Sequence, residues 1–341
     1  MKNQRIGVTG GAGFIGSHTV AELAFAGYDP FIIDNFSNSD PSVIHGIEAL
    51  CGREIRVYHA DCRDERQIVE ILGKEKPFGI IHFAAFKAVG ESVQKPLEYF
   101  SNNIGGMISL LRAMETVQIN RLVFSSSCTI YGQPDLLPVT ENSPEKAASS
   151  PYGFTKQVCE KILVESARAS DKELSAVMLR YFNPIGAHPS GLIGELPNGI
   201  PNNLVPFVTQ TAAGWRQELT VYGNDYSTPD GSAIRDYIHV VDLAKAHLKA
   251  MEWLGRNAGK CEAFNLGTGK GKSVMEVIAS FEKVTGVSLP WQIGPRREGD
   301  VEQIWASCRK AEEFLNWKAE LTLDEALRDA WKWQQKLGTR P

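Results

Sequence analysis

The sequence predicts an α/β fold, a doubly wound parallel sheet with a smaller, mixed α/β domain toward the C-terminus. Three observations predict it. The first is a short apolar strand that runs straight into a glycine-dense turn and an apolar-periodic helix. The second is the alternation of buried strands with helices up to residue 183. The third is the change beyond that point, where residues 183–206 hold five prolines and four glycines. At 341 residues, with 43% hydrophobic and 22% charged residues, the chain can bury a large core and has room for two domains.

The first unit is the strand Arg5–Thr9, the turn Gly10-Gly11-Ala12-Gly13-Phe14-Ile15-Gly16, and a helical run to Ala26 capped by Gly27. Glycines at 11, 13 and 16 satisfy G-x-G-x-x-G, and those at 10, 13 and 16 a wider spacing, so backbone N–H groups at the helix N-terminus can approach a pyrophosphate. A second apolar run, Pro30–Ile33, ends in Asp34, at the distance where a carboxylate meets an adenosine ribose. Asp34 repels a 2′-phosphate, and no Arg or Lys stands between it and Arg53, which favours NAD over NADP. This half is therefore expected to be of the Rossmann type.

A third strand over Ile55–Tyr58 leads to Asp61 and Cys62, placed to meet an adenine edge, and a helix is predicted over 64–72. A fourth strand, Gly79–Phe83, ends in Ala84 and Ala85, whose small side chains let a ligand lie against the backbone. One long helix over 96–117 then crosses to the strand Arg121–Phe124, which runs into Ser125, Ser126 and Ser127 at a carboxyl strand end. Next comes Pro151-Tyr152-Gly153-Phe154-Thr155-Lys156. With Pro151 in the first turn of a helix, Tyr152 and Lys156 share one face, and a nearby ammonium favours the phenolate needed for a tyrosine base.

A strand over 174–180 precedes the irregular region of 183–206, which is expected to cover the site and carry substrate contacts. A helix over 240–253 and a strand over 263–266 that returns to the main sheet predict interleaved domains: 1–183 with 236–267, and 184–235 with 268–341. Gly269–Ser273 lacks the first glycine of a phosphate loop, since Leu266 stands there, and reads as the N-cap of a helix from Val274.

Charge and cysteine usage exclude other classes. A net charge of −4 without a basic stretch argues against nucleic acid. Six scattered cysteines without C-x-x-C, and histidines such as His82 and His239 without ligand spacing, predict no metal and no disulfide framework. With no cleavable leader and no membrane-length apolar run, a cytoplasmic protein is expected.

The motifs together resemble the extended short-chain dehydrogenase/reductases, and within them the UDP-hexose 4-epimerases, over nearly the whole chain. Carrying the likeness are Thr9–Ser17, Phe83–Ala85, Lys87–Ser92, Asn102–Gly106, Ser125–Ser127, Tyr152 with Lys156, Leu179–Asn183, Gly186–Gly191, Gly199–Leu204, Arg235–His239 and Arg296–Asp300. The resemblance implies reversible epimerisation at C4 of UDP-glucose and UDP-galactose with NAD regenerated in each turnover. It implies Ser127, Tyr152 and Lys156 as catalytic. For the cofactor it adds Phe14, Ile15, Asn35, Phe83, Lys87, Asn102, Tyr152, Lys156 and Tyr181 to Gly10, Gly13, Gly16, Asp34, Asp61, Cys62, Ala84 and Ala85, with Lys156 able to hold the nicotinamide ribose. For the UDP-sugar it implies Lys87, Ser127, Tyr152, Phe182, Asn183, Asn203, Leu204, Tyr222, Arg235, Arg297 and Asp300. Ile304, four residues beyond the Arg296–Asp300 motif, lies where the family places the sugar-pocket residue that is a bulky tyrosine in members excluding 2-acetamido groups, so partial acceptance of N-acetylated sugars is expected. A homodimer through the helices of 96–117 and 151–168 is implied as well. Two alternatives stay open: a nucleotide-sugar 4,6-dehydratase of the same fold, which would place acidic residues where Cys128 and Thr129 stand, and a non-catalytic NAD-binding sensor.

Overall fold

The computed structural model describes residues 3–169, 174–297 and 300–338. Its centre is a seven-stranded, wholly parallel sheet in the order β11-β6-β5-β4-β1-β2-β3. The strands are β1 (Arg5–Thr9), β2 (Asp29–Asp34), β3 (Arg56–His59), β4 (Gly79–His82), β5 (Arg121–Ser127), β6 (Ser175–Tyr181) and, returning late in the chain, β11 (Cys261–Leu266). The central strands are near-continuous apolar runs because helices cover both faces and leave no solvated side to be polar.

On one face lie α1 (Phe14–Phe25), α2 (Val43–Cys51), α9 (Val240–Leu254) and α11 (Arg309–Leu315), which enclose Val8, Val20, Leu23, Leu243 and Phe264. On the other face α3 (Glu65–Glu75), α6 (Gly106–Thr116) and α7 (Pro151–Ala169) enclose Phe31, Ile68, Leu110, Phe124 and Leu163. Two short helices, α4 (Val89–Gln94) and α5 (Pro96–Tyr99), lead into α6. The single helix expected over 96–117 is instead interrupted by a π-helical stretch, Phe100–Gly105, whose wider turn brings Asn103 inward. Strand β5 is also longer than expected: Ser125, Ser126 and Ser127 still pair in register with Leu179, Arg180 and Tyr181, so the serine cluster is strand and not loop.

The rest of the chain packs against the carboxyl ends of this sheet. It contains β7 (Asn183–Ile185), α8 (Leu204–Ala212), β8 (Leu219–Tyr222), β9 (Ile234–Arg235), β10 (Tyr237–His239), β12 (Lys272–Ser273), α10 (Val274–Thr285), β13 (Trp291–Gly294), β14 (Gln303–Ile304) and α12 (Leu323–Lys336). Its three small sheets are β10-β7, β12-β9-β14 and β13-β8. The region of 183–206 is thus ordered at both ends, by β7 and by the first turn of α8, although its middle is irregular as expected. Ser273 caps α10 with a complete capping box to Glu276, which accounts for the Gly269–Ser273 sequence without a phosphate.

Candidate active site

Pro151 opens α7, and the Ser150 hydroxyl accepts the Gly153 N–H at 3.1 Å, so the helix start is held as the sequence predicts. One turn separates Tyr152 from Lys156, whose Nζ lies 5.8 Å from the centre of the Tyr152 ring. Ser127, at the last position of β5, presents its hydroxyl to the Tyr152 phenol and also accepts the Thr129 N–H at 3.2 Å. The three residues expected to be catalytic therefore meet at one strand end.

Lys156 is buried and donates to the Ser125 carbonyl at 2.6 Å, with its ammonium 4.8 Å from the centre of the Phe124 ring. Burial pushes the Tyr152 phenol up to about 12, with the Ser127 hydroxyl pulling the other way. Burial also brings Lys156 down to about 8 against the attraction of Cys159 and Glu160. Desolvation thus acts on both groups against their charged forms.

The glycine turn fits a dinucleotide. A Cβ on Gly16 would stand 2.2 Å from the Gly10 carbonyl oxygen, and one on Gly10, at φ +67°, would stand 2.7 Å from the Ala84 nitrogen. Gly13 caps α1 without a side chain, so the first-turn N–H groups at Phe14, Ile15 and Gly16 have no side-chain acceptor. The Asp34 carboxylate accepts Ala12 N–H at 3.0 Å, Phe36 N–H at 2.9 Å and the Ser39 hydroxyl at 3.0 Å. Asn35 donates to Asp61 at 3.0 Å, and Arg63, which the sequence reading passed over, binds both oxygens of Asp61 and holds its carboxyl down at about 2. Cys62 is buried, its thiol pushed up to about 12 by desolvation. Phe83 continues from β4 with its N–H on the Thr9 carbonyl at 2.9 Å, and Ala84 and Ala85 follow beside the turn.

Among the remaining residues expected at the cofactor, Asn102 donates to Asn103 at 3.0 Å, and Asn103 in turn holds both backbone groups of Phe86 and the Thr155 hydroxyl. The second asparagine is thus the brace between the π-helical stretch and α7. Tyr181 is buried, with its hydroxyl on that of Ser125.

Residues expected at the UDP-sugar form two groups. Lys87 and Asn203 converge on one carboxylate, Glu195, at 3.0 and 2.9 Å. Glu195 carried no sequence signal, because its partners stand 108 and 8 residues away. In the second group Arg235 lies 3.5 Å from Asp300 and is in register with Ile304 of β14, while the Arg297 guanidinium sits 4.4 Å from the centre of the Tyr222 ring. Glu298 and Gly299 of the same motif lie outside the described residues. Phe182 and Ile304 share a buried cluster with Ile130, Tyr131, Val139 and Ala306. Asn183 is tied by its N–H to the Asp236 carbonyl at 3.0 Å, and Leu204 opens α8.

The histidines have positions in the framework: His82 bonds the Thr9 hydroxyl at 2.7 Å, and His239 caps α9 through the Val241 N–H at 3.1 Å. Among the described residues no three His, Cys, Asp or Glu side chains are grouped to hold a metal ion, and no helix is long and apolar enough to cross a membrane.

A family model described as GDP-mannose 4,6 dehydratase matches residues 8–330. A UDP-glucose 4-epimerase of Dictyostelium discoideum is 51% identical over 332 residues, spanning 97% of this chain and 96% of its own. The crystal structure of UDP-glucose 4-epimerase from Stenotrophomonas maltophila, with bound NAD and formylated UDP-arabinopyranose, superposes with a TM-score of 0.95 at 45% identity, covering 98% of this chain and 99% of that one. That from Bifidobacterium longum, in complex with NAD⁺ and UDP, superposes with a TM-score of 0.94 at 46% identity, covering 97% and 98%. With glycine turn, Ser127, Tyr152 and Lys156 arranged as above, the chain belongs to the UDP-glucose 4-epimerases, within the extended short-chain dehydrogenase/reductases.

Proposed function

We propose that Ser127, Tyr152 and Lys156 carry the chain's reaction, the reversible, NAD-dependent epimerisation at C4 of UDP-glucose and UDP-galactose. The observation supporting this assignment is their meeting at the carboxyl end of β5, on the same sheet edge as the glycine turn after β1 and only β4 away from it. When bound on the glycine turn and Asp34, NAD would supply the hydride acceptor and donor that the chemistry at C4 requires. Tyr152 takes the proton from the 4-hydroxyl and gives it back, and Ser127 donates to the same oxygen as its charge changes. Lys156 stands beside the phenol on a fixed carbonyl anchor and stabilises negative charge there. Phe14, Ile15 and Gly16 present N–H groups to the pyrophosphate, Asp34 accepts ribose hydroxyls, and Asn35, Asp61, Cys62, Phe83, Ala84, Ala85, Lys87, Asn102 and Tyr181 complete the dinucleotide side.

Firm anchoring at the nucleotide and freedom at the sugar suit the distribution of polar groups. Lys87, Asn183, Asn203, Leu204, Tyr222, Arg235, Arg297 and Asp300 take the UDP, while Phe182 and Ile304 offer apolar contacts to the sugar. The NAD half comprises 1–183 with 236–267 and the UDP-sugar half 184–235 with 268–341, a division supported by β11 lying beside β6. A 4,6-dehydratase is disfavoured: Cys128 follows Ser127, its thiol pushed up to about 12 by burial, and Thr129 does not ionise, so the acid pair of that reaction has no counterpart.

Two further assignments complete the proposal. The chain acts in the cytoplasm, in line with its free cysteines among the described residues. It works as a homodimer, because α4, α5, α6 and α7 leave Val93, Leu97, Ile108 and Phe154 exposed on neighbouring helices. Incubating the purified protein with UDP-galactose tests the function: UDP-glucose forms without net NADH. Accumulation of NADH, or of a 4-keto-6-deoxy product, would overturn it.

A further inference from the structure

Behind the catalytic trio lies a buried polar chain that the reaction itself does not use. Ser126 donates to the Glu160 carboxylate, and Arg180 binds both oxygens of Glu160, through Nε at 3.0 and 3.2 Å and through Nη2 at 2.5 Å. Arg180 Nη1 continues to the Tyr131 hydroxyl at 3.0 Å, which donates to Asn265 at 2.6 Å. Ser126, Glu160, Arg180, Tyr131 and Asn265 are all buried. The chain runs through β5, α7, β6, the turn after β5, and β11.

Its placement relative to the site is specific. Three consecutive serines of β5 do three different things: Ser125 receives Lys156 on its carbonyl, Ser126 binds Glu160, and Ser127 faces Tyr152. Tyr152, Lys156 and Glu160 are spaced one turn apart along α7. The helix is therefore joined to the strand at two successive turns, and the third pair along the same seam is the reacting one.

We infer that Ser126, Glu160 and Arg180 are positioning residues for the epimerisation, setting the register of α7 on β5 so that the Tyr152 phenol and the Ser127 hydroxyl address the same substrate oxygen. A buried ion pair is weak as a source of net stability, since desolvation offsets its attraction, but it is strongly directional when every lone pair and proton has a partner. Glu160 satisfies that condition through three donor groups on two strands. A non-polar pair of similar volume would fill the space without specifying register.

Glu160 also contributes to the field at Lys156. Facing its ammonium are Tyr152, Cys159 and Glu160 from its own helix and His82 from β4, while Arg180 of β6 and Cys261 of β11 face Glu160. Glu145 stands 3.7 Å from Arg180 on its far side.

The test rests on the proposed epimerase reading and is built to fail separately from it. Wild-type conversion of UDP-galactose to UDP-glucose is measured first; without it the functional reading fails, whatever the variants do. With it, Ser126→Ala and Glu160→Gln are assayed for kcat, KM and the pH dependence of kcat, alongside thermal unfolding. Both variants are expected to lose roughly 10²-fold in kcat, as small misplacements of reacting groups do, with KM changed by less than about threefold. Glu160→Gln should in addition move the alkaline limb of the profile to lower pH, because the Lys156 ammonium loses the attraction of the Glu160 carboxylate one turn away; Ser126→Ala, which keeps that carboxylate, should not move it. A folded Ser126→Ala with wild-type kcat overturns the inference, even if Glu160→Gln fails to fold. So does a Glu160→Gln variant that loses only thermal stability and keeps its kcat and pH limb.

Discussion

The Lys156 ammonium rests on the Ser125 carbonyl at 2.6 Å and lies only one helical turn from the Tyr152 ring. The lysine is thus fixed by the strand whose last residue, Ser127, faces the tyrosine. Replacing Tyr152 by Phe removes the proposed proton carrier and leaves the Lys156–Ser125 contact in place. Turnover should fall by at least about 10²- to 10⁴-fold, with NAD retention and UDP affinity within a few-fold of wild type. Assay of UDP-galactose conversion together with UDP titration calorimetry checks both halves, and near-normal turnover would remove Tyr152 from the mechanism.

Asp34 is the residue proposed to hold the adenosine ribose of the dinucleotide. Its carboxylate already organises Ala12, Phe36 and Ser39, and a ribose hydroxyl would add a charge-assisted bond. Asp34→Asn should weaken NAD by about 1.5–3 kcal/mol and narrow the preference over NADP. The NAD content of the protein as purified, and the recovery of activity with each added dinucleotide, report the change. Unaltered NAD content would show that Asp34 only shapes the loop.

Ile304 is proposed to limit substrate breadth. It is 3% exposed and packs in one cluster with Tyr131 and Phe182, so a tyrosine there must either project toward the sugar or strain the cluster by about 1–3 kcal/mol. The Ile304→Tyr variant is expected to reject UDP-N-acetylglucosamine more strongly than wild type does, by about 1–3 kcal/mol in kcat/KM relative to UDP-glucose. Equal discrimination by the two proteins would show that another residue forms that wall.

Acid should unfold the protein earlier than its carboxylates alone would require. Burial holds His18 and His82 down at about 3 and His247 at about 4, all below the ordinary value of 6.5. Above pH 6.5 both folded and unfolded chains keep these rings neutral and stability is unaffected. Below it the unfolded chain takes up protons that the fold refuses, so stability falls by about 1.4 kcal/mol per pH unit for each ring, until pH 4 to 3. Melting temperatures from pH 7 to 4.5 should decline accordingly, and His247→Gln should show a shallower slope. An identical slope in that variant would contradict the assignment.

The exposed apolar stripe predicts the assembly. Phe154 is 48% exposed and Leu97 78%, on adjacent helices, and Phe100 packs edge-on to Phe154 at 5.9 Å. Phe154→Glu combined with Leu97→Glu should convert a dimer to a monomer by light scattering at micromolar protein, since two buried charges per protomer cannot be paired across a two-fold axis. A monomeric wild type would refute the homodimer.

What the sequence determined by itself was local. The glycine turn, Asp34 at the end of β2, Pro151 at the start of α7, the Tyr152–Lys156 spacing and the Ser273 cap depend on residues within a turn or one strand–helix unit of each other, where backbone sterics and helical period dictate the outcome. The doubly wound, parallel character of the sheet was legible as well, because apolar runs buried on both faces call for flanking helices, whereas the strand order was not. Tertiary structure decided the rest. Glu195 receives Lys87 and Asn203 only because the loop after β7 folds back over the residues following β4. Ser126, Glu160 and Arg180 meet only because α7 lies across β5 and β6. Even the environment of Tyr152 was a tertiary matter: spacing put an ammonium one turn away, but how far each group is desolvated depends on the whole packed surroundings.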